Sequence, residues 1–133
     1  MRKILGIIVG AIVAMILITI VERAGHAVFP PATDLDMSTA AGVARYIATS
    51  PSMASAAVVF GWFAGAAVGG WTALRISQWP LAGWTLAGVI AFAGIANATQ
   101  IPAPLWMQLS TVLAPALGGW VALHLPGWQR TTR

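Results

Sequence analysis

Ile4-Leu5-Gly6-Ile7-Ile8-Val9-Gly10-Ala11-Ile12-Val13-Ala14-Met15-Ile16-Leu17-Ile18-Thr19-Ile20-Val21 carries no charge, with Arg2-Lys3 before it and Glu22-Arg23 after it. About 20 apolar residues in helical form span the hydrocarbon core of a bilayer, so a run of this length reads as a transmembrane helix. The rival reading is a cleaved signal peptide, with Gly25-His26-Ala27 as a loose cleavage site. Signal peptides have shorter apolar cores, about 7–15 residues, and the Glu22-Arg23 pair fits poorly ahead of a cleavage site. The spanning reading is preferred.

Working outward, the rest of the chain has the same character. Of 133 residues, 59% are hydrophobic and only 8% charged, and the mean hydropathy is +0.83. A soluble domain carries about 25% charged residues to cover its wetted surface. So few charges mean that most of this surface faces lipid. There are no cysteines, which excludes disulfides, thiolate metal sites and cysteine nucleophiles. The basic balance, with a net charge of +4, does not indicate nucleic acid. Its arginines and lysines are scattered at the ends of apolar segments and form no patch.

Three further spans follow the first, giving spans at about 4–22, 53–76, 81–98 and 105–125. Phe29-Pro30-Pro31, Gln78-Trp79-Pro80 and Ile101-Pro102-Ala103-Pro104 separate them, because proline lacks the amide and forces its predecessor out of the helical region. Pro115 is expected to kink the fourth span. Between the first two spans, residues 36–49 read as a short interfacial helix capped by Asp36 or Ser38, with Arg45 as its only charge. The expected fold is therefore an all-α membrane protein, a four-transmembrane-helix bundle forming one integral membrane domain over 1–133.

Arg2, Lys3, Arg75, Arg130 and Arg133 fall on one side of these spans, and only Arg23 and Arg45 on the other. The positive-inside rule then predicts cytoplasmic N- and C-termini in a bacterial inner membrane, with the loops at 22–52 and 97–104 external. Trp71, Trp79, Trp84, Trp120 and Trp128 lie near the same predicted cytoplasmic face, where amphipathic rings prefer to sit.

Gly69-Gly70-Trp71-Thr72-Ala73-Leu74-Arg75-Ile76-Ser77-Gln78-Trp79 matches Gly118-Gly119-Trp120-Val121-Ala122-Leu123-His124-Leu125-Pro126-Gly127-Trp128 at six of eleven positions. In the same register, Gly61, Gly65, Gly69 and Ala73 correspond to Ser110, Ala114, Gly118 and Ala122. Such small-residue stripes let helix backbones approach in lipid, where apolar burial no longer drives association. The reading is two duplicated helix hairpins in the same orientation, related by an axis along the membrane normal.

Polar residues collect at the predicted external ends of spans one and three. Glu22 and His26 stand one helical turn apart, and Asn97, followed by Gln100, ends the third span as Glu22 ends the first. Ionisable residues at membrane depth are costly and mark functional sites by default. A Glu–His pair can relay a proton, bind a metal weakly or hold a polar headgroup. The bland alternative is a carboxylate at a helix end that reaches water or pairs with Arg23 or Arg45. His26 and His124 lie at opposite faces, so they cannot share a haem or metal. Capping accounts for at least one of Asp34 and Asp36. No serine–histidine–acid set, phosphate loop or metal motif is present, and no cofactor or metal is implied.

The segments Glu22-Arg23-Ala24-Gly25-His26 with Pro30-Pro31, and Gly94-Ile95-Ala96-Asn97 with Ile101-Pro102-Ala103-Pro104-Leu105-Trp106, resemble a family of small uncharacterised bacterial inner-membrane proteins over most of the chain. In that family the second proline pair often flanks a histidine; Ala103 stands there in this chain. The resemblance implies topology and no activity.

Three functional readings follow. The first is a non-catalytic protein working by helix–helix association, as accessory subunit of a larger membrane complex or as homo-oligomer, with lipids as its other partners and no nucleic acid. The second is a small transporter or proton-coupled carrier using the polar cluster. The third, a metal-dependent or lipid-modifying enzyme, ranks last because Glu22 and His26 are fewer than the three ligands catalytic zinc generally uses.

Overall fold

The computed structural model describes residues 1–128. They form five helices: α1 (Arg2–Val28), α2 (Ala40–Thr49), α3 (Ser52–Ser77), α4 (Ala82–Ala98) and α5 (Leu105–His124). Among the described residues there is no strand. The helices α1, α3 and α5 are long and apolar enough to cross a membrane, and α4 is a shorter apolar helix of 17 residues. Arg130 and Arg133, which the orientation argument uses, lie outside the described residues.

Three local expectations are corrected. The first helix does not stop near Glu22 but continues to Val28, where the Phe29 amide closes it on the Gly25 carbonyl. A carboxylate does not break a helix, and the first residue that does is Pro30. The interfacial helix is ten residues long, and its cap is Thr39, whose hydroxyl accepts the Gly42 amide at 3.0 Å. Asp36 instead receives both the amide and the hydroxyl of Ser38, forming the turn that leads into the cap. These two bonds favour the charged carboxylate and hold Asp36 below its usual pKa range. Finally, Arg45 pairs with Asp34 at 3.7 Å, not with Glu22.

The packing order is α1 on α3, α3 on α5, and α4 in the groove between α3 and α5. Small residues set the spacing. A Cβ at Gly10 would come within 2.6 Å of the Gly69 carbonyl oxygen, and one at Gly6 within 2.8 Å of the Ala73 carbonyl oxygen. Gly118 presses in the same way on the Phe63 carbonyl oxygen of α3, and Gly119 lies 2.9 Å, measured from its would-be Cβ, from the Ala87 methyl of α4. At this end Ala73, Leu74, Ala82 and Ala122 form a buried core flanked by Trp71, Trp79 and Trp128. The Lys3 ammonium sits 5.2 Å over the Trp79 ring, and the Arg75 guanidinium 5.0 Å from the Trp71 ring centre.

Candidate functional site

Toward the other end the four longer helices part. The would-be contacts along α1 and α3 relax from 2.6 Å at Gly10 to 3.4 Å at Gly61 against Val21, and to 3.4 Å at Gly25 against Ala57. Large side chains (Val58, Trp62, Met107) line the gap, and close backbone packing is lost. The result is a cavity of about 330 Å³ between α1 and α3 on one side and α4 and α5 on the other. Val43, Tyr46 and Ile47 of α2 cover it.

The cavity brings together Glu22, His26 and Asn97. Glu22 and His26 are partly buried on the inner face of α1, and Asn97, exposed in the last turn of α4, lines the cavity rim. Gln100 does not join them: it is exposed beyond α4, its amide 3.5 Å from the Ala96 carbonyl. Among the described residues no arginine or lysine forms an ion pair with Glu22.

Tyr46 holds the cover in place. Its ring is buried, meets His26 edge-on at 5.3 Å, and its hydroxyl donates to the Phe29 carbonyl at 2.7 Å. One side chain therefore ties α2 to the end of α1 and shapes the wall beside His26. Gln108 and Thr111 of α5 complete the polar side of the cavity. Gln108 donates through Nε2 to the Ala103 carbonyl at 2.8 Å, and Thr111 through Oγ1 to the Gln108 carbonyl at 2.7 Å.

Sequence reasoning missed Tyr46, Trp62, Gln108 and Thr111 as site residues. A signal existed for α5, because Gln108 and Thr111 stand three apart in a largely apolar helix and share a face. None existed for Trp62, which reads as one lipid-facing aromatic among several.

Of the eight stripe residues, all but Ser110 are buried. Gly65 and Gly69 pack on α1, and Gly118 packs on α3. Ser110 is half-buried and donates to the Trp106 carbonyl of its own helix. Missed on the other side of the first contact was the mating stripe of α1, Gly6, Gly10 and Ala14, all three buried.

Chemically, the cavity offers one carboxylate, one imidazole, amides and an apolar lining. Among the described residues no group of three or more His, Cys, Asp or Glu stands close enough to hold a metal. Comparison with protein-family models, with curated protein sequences and with solved structures finds no match to this chain.

Proposed function

We propose that this is a small membrane-embedded binding protein, acting as a carrier, whose cavity takes one small organic molecule at Glu22, His26 and Asn97. The observation that carries this reading is the cavity itself, a largely apolar space beneath α2 with a partly buried ionisable pair on its wall. The stripes that motivate association weigh less, because the glycines with the closest contacts are already used inside one chain. The test is to purify the protein in lipid nanodiscs and identify retained small molecules by mass spectrometry. A defined molecule retained by the wild type and lost from Ala98→Phe, which fills the cavity wall, supports the reading. Equal retention by both overturns it.

The finer topology belongs to the same proposal. We read α4 as a fourth span in a bacterial inner membrane, with α2 outside and the N-terminus and the α3–α4 turn in the cytoplasm. Arg2, Lys3 and Arg75 at the turn end support this orientation. The chain lacks cysteine, so single cysteines at Ser38 and Gln78 report sidedness without background. Labelling of both from one face sinks the four-span reading.

Duplication of the hairpins has one support beyond the residue match. Among the described residues only Gln78 and Gly127 have positive φ, 52° and 94°, and they occupy equivalent positions in the two copies. The copies differ in neighbours: Gly69 faces α1, and Gly118 faces α3.

A second reading, association with a larger partner, is favoured by α1. Its Ile4, Ile8, Ile12, Ile16 and Ile20 form an exposed row at four-residue spacing, a face suited to another helix as well as to lipid. A stoichiometric partner retained by the wild type and lost on Ile12→Arg would favour it.

A further inference from the structure

A second cavity adjoins the first. It is an open groove of about 530 Å³ on the outside of α4 and α5, formed by exposed Ile95, Leu109, Val112 and Leu113. Ala98, Gln108 and Thr111 line both spaces. A thin wall thus separates an apolar groove, on a face the membrane would cover, from the cavity that holds Glu22 and His26.

Glu22 is the one carboxylate in the cavity lining. Three donors around it are already engaged on backbone carbonyls: Tyr46 on Phe29, Gln108 Nε2 on Ala103, and Thr111 Oγ1 on Gln108. The Glu22 carboxylate only accepts, whereas Asn97 and Gln108 offer an amide oxygen together with amide N–H groups, and the Trp62 indole, Ser55 hydroxyl and His26 ring add further donors. Pro115 has no amide to give the Thr111 carbonyl, so a backbone oxygen on the same wall lacks its helical donor. No arginine or lysine lines the space, whereas the aromatic rings of Tyr46 and Trp62 do. A phosphate or carboxylate would face Glu22 with only His26 to balance it. An ammonium would meet the Glu22 carboxylate and the amide oxygens of Asn97 and Gln108, all of which attract it.

Building on the carrier reading, we propose that the ligand is a single-chain amphiphile with a phosphate-free ammonium head. Its head lies at Glu22 and its chain runs out between α4 and α5 into the groove, so that it passes sideways from the lipid.

The test uses the full chain in phosphatidylcholine nanodiscs with radiolabelled dodecylamine, dodecanoate, dodecanol and a lysophosphatidylethanolamine, each against empty discs. Only dodecylamine is expected to bind saturably above the empty-disc level. Glu22→Gln, close in shape, should weaken it about tenfold or more, the size expected for a charge-assisted hydrogen bond. Asn97→Asp should tighten it, a gain that misfolding cannot mimic.

The route is tested by Gly94→Cys with Thr111→Cys. A Cβ at Gly94 lies 3.0 Å from the Thr111 Cβ, close to disulfide reach, and the bond would pin α4 to α5. Oxidation should slow uptake about tenfold relative to the reduced form, since the chain can no longer part the helices. Unchanged uptake rejects the sideways route. Equal binding of all four probes, unaffected by Glu22→Gln, overturns the ammonium head and leaves the binding cavity standing. Saturable binding of none overturns this inference; the carrier reading itself falls only if the retained-molecule comparison with Ala98→Phe also fails.

Discussion

Between α1 and α3, a Cβ at Gly10 would come 2.6 Å from a carbonyl oxygen, whereas one at Gly25 would meet only a methyl group at 3.4 Å. The same two helices are locked at one end and loose at the other. The locked end is made of glycine and alanine with an aromatic and cationic fringe; the loose end mixes small residues with Val58, Trp62 and Met107 and is covered by α2. Tight packing without apolar burial to drive it needs backbone contact, and backbone contact leaves no space. A cavity can therefore exist only where the backbones stand apart, and on α3 the close contact with α1 ends at Gly61, whose would-be Cβ meets only Val21 side-chain atoms at 3.4 Å or more and a backbone oxygen at 3.8 Å.

The largest effects should come from breaking the locked end. Gly10→Leu and Gly69→Leu each force backbone apart, and overpacking of this kind costs about 1–3 kcal/mol or more. Both variants should lose their folded, monodisperse form in detergent, measured by thermal unfolding. Gly25→Ala at the loose end should leave the fold intact and change stability by no more than about 1 kcal/mol, on the stabilising side, because the added methyl gains helix propensity and meets only Ala57 at 3.4 Å. Equal sensitivity at Gly10 and Gly25 would erase the distinction between the ends.

Next in size is the tie between α2 and α1. Tyr46→Phe removes the hydrogen bond to the Phe29 carbonyl, a loss of about 1 kcal/mol. It should raise amide exchange across Ala40–Thr49 while leaving α3 protected. Uniform protection after the change would mean that α2 is held by its apolar contacts alone. Of similar size and opposite sign, Gly88→Ala should stabilise α4 by about 0.5–1 kcal/mol, because nothing lies within 4 Å of the added methyl. Thermal unfolding reads it, and a destabilised variant would place an unseen neighbour there.

The smallest effect concerns the turn before α2. Asp36 is depressed by its bonds from Ser38, so its help to that turn is present above the carboxyl's ordinary pKa and fades as the pH falls through the depressed value. Ser38→Ala should bring the Asp36 titration, followed by carboxyl NMR, back up toward the ordinary range. An unmoved titration would show that Ser38 does not hold the carboxylate.

Charge-free runs and prolines made the long helices legible, since both act locally. Helix ends were less so: Glu22 looked like a terminus, yet only Pro30 stops α1, and Thr39 took the cap expected of its neighbours. Of the site, Glu22, His26 and Asn97 stood out because polar groups are rare in this composition. Gln100, one turn further, was grouped with them by sequence distance and faces away. Tyr46 and Trp62 were hidden because a cavity is a relation among helices, set by where the small residues of α1 and α3 stop meeting.

Helix length has one more consequence. At about 1.5 Å per residue, the 17 residues of α4 span about 25 Å, and the 27 of α1 about 40 Å. On the four-span reading, a bilayer core about 30 Å thick fits neither. The long helix adapts by tilting, and the short one draws the surrounding lipid thinner on its own flank. The dimple would form beside the α4–α5 groove, so lipid chains there would be shorter or more disordered than elsewhere around the protein. Membranes of longer-chain lipid should then resist the dimple and squeeze that flank hardest.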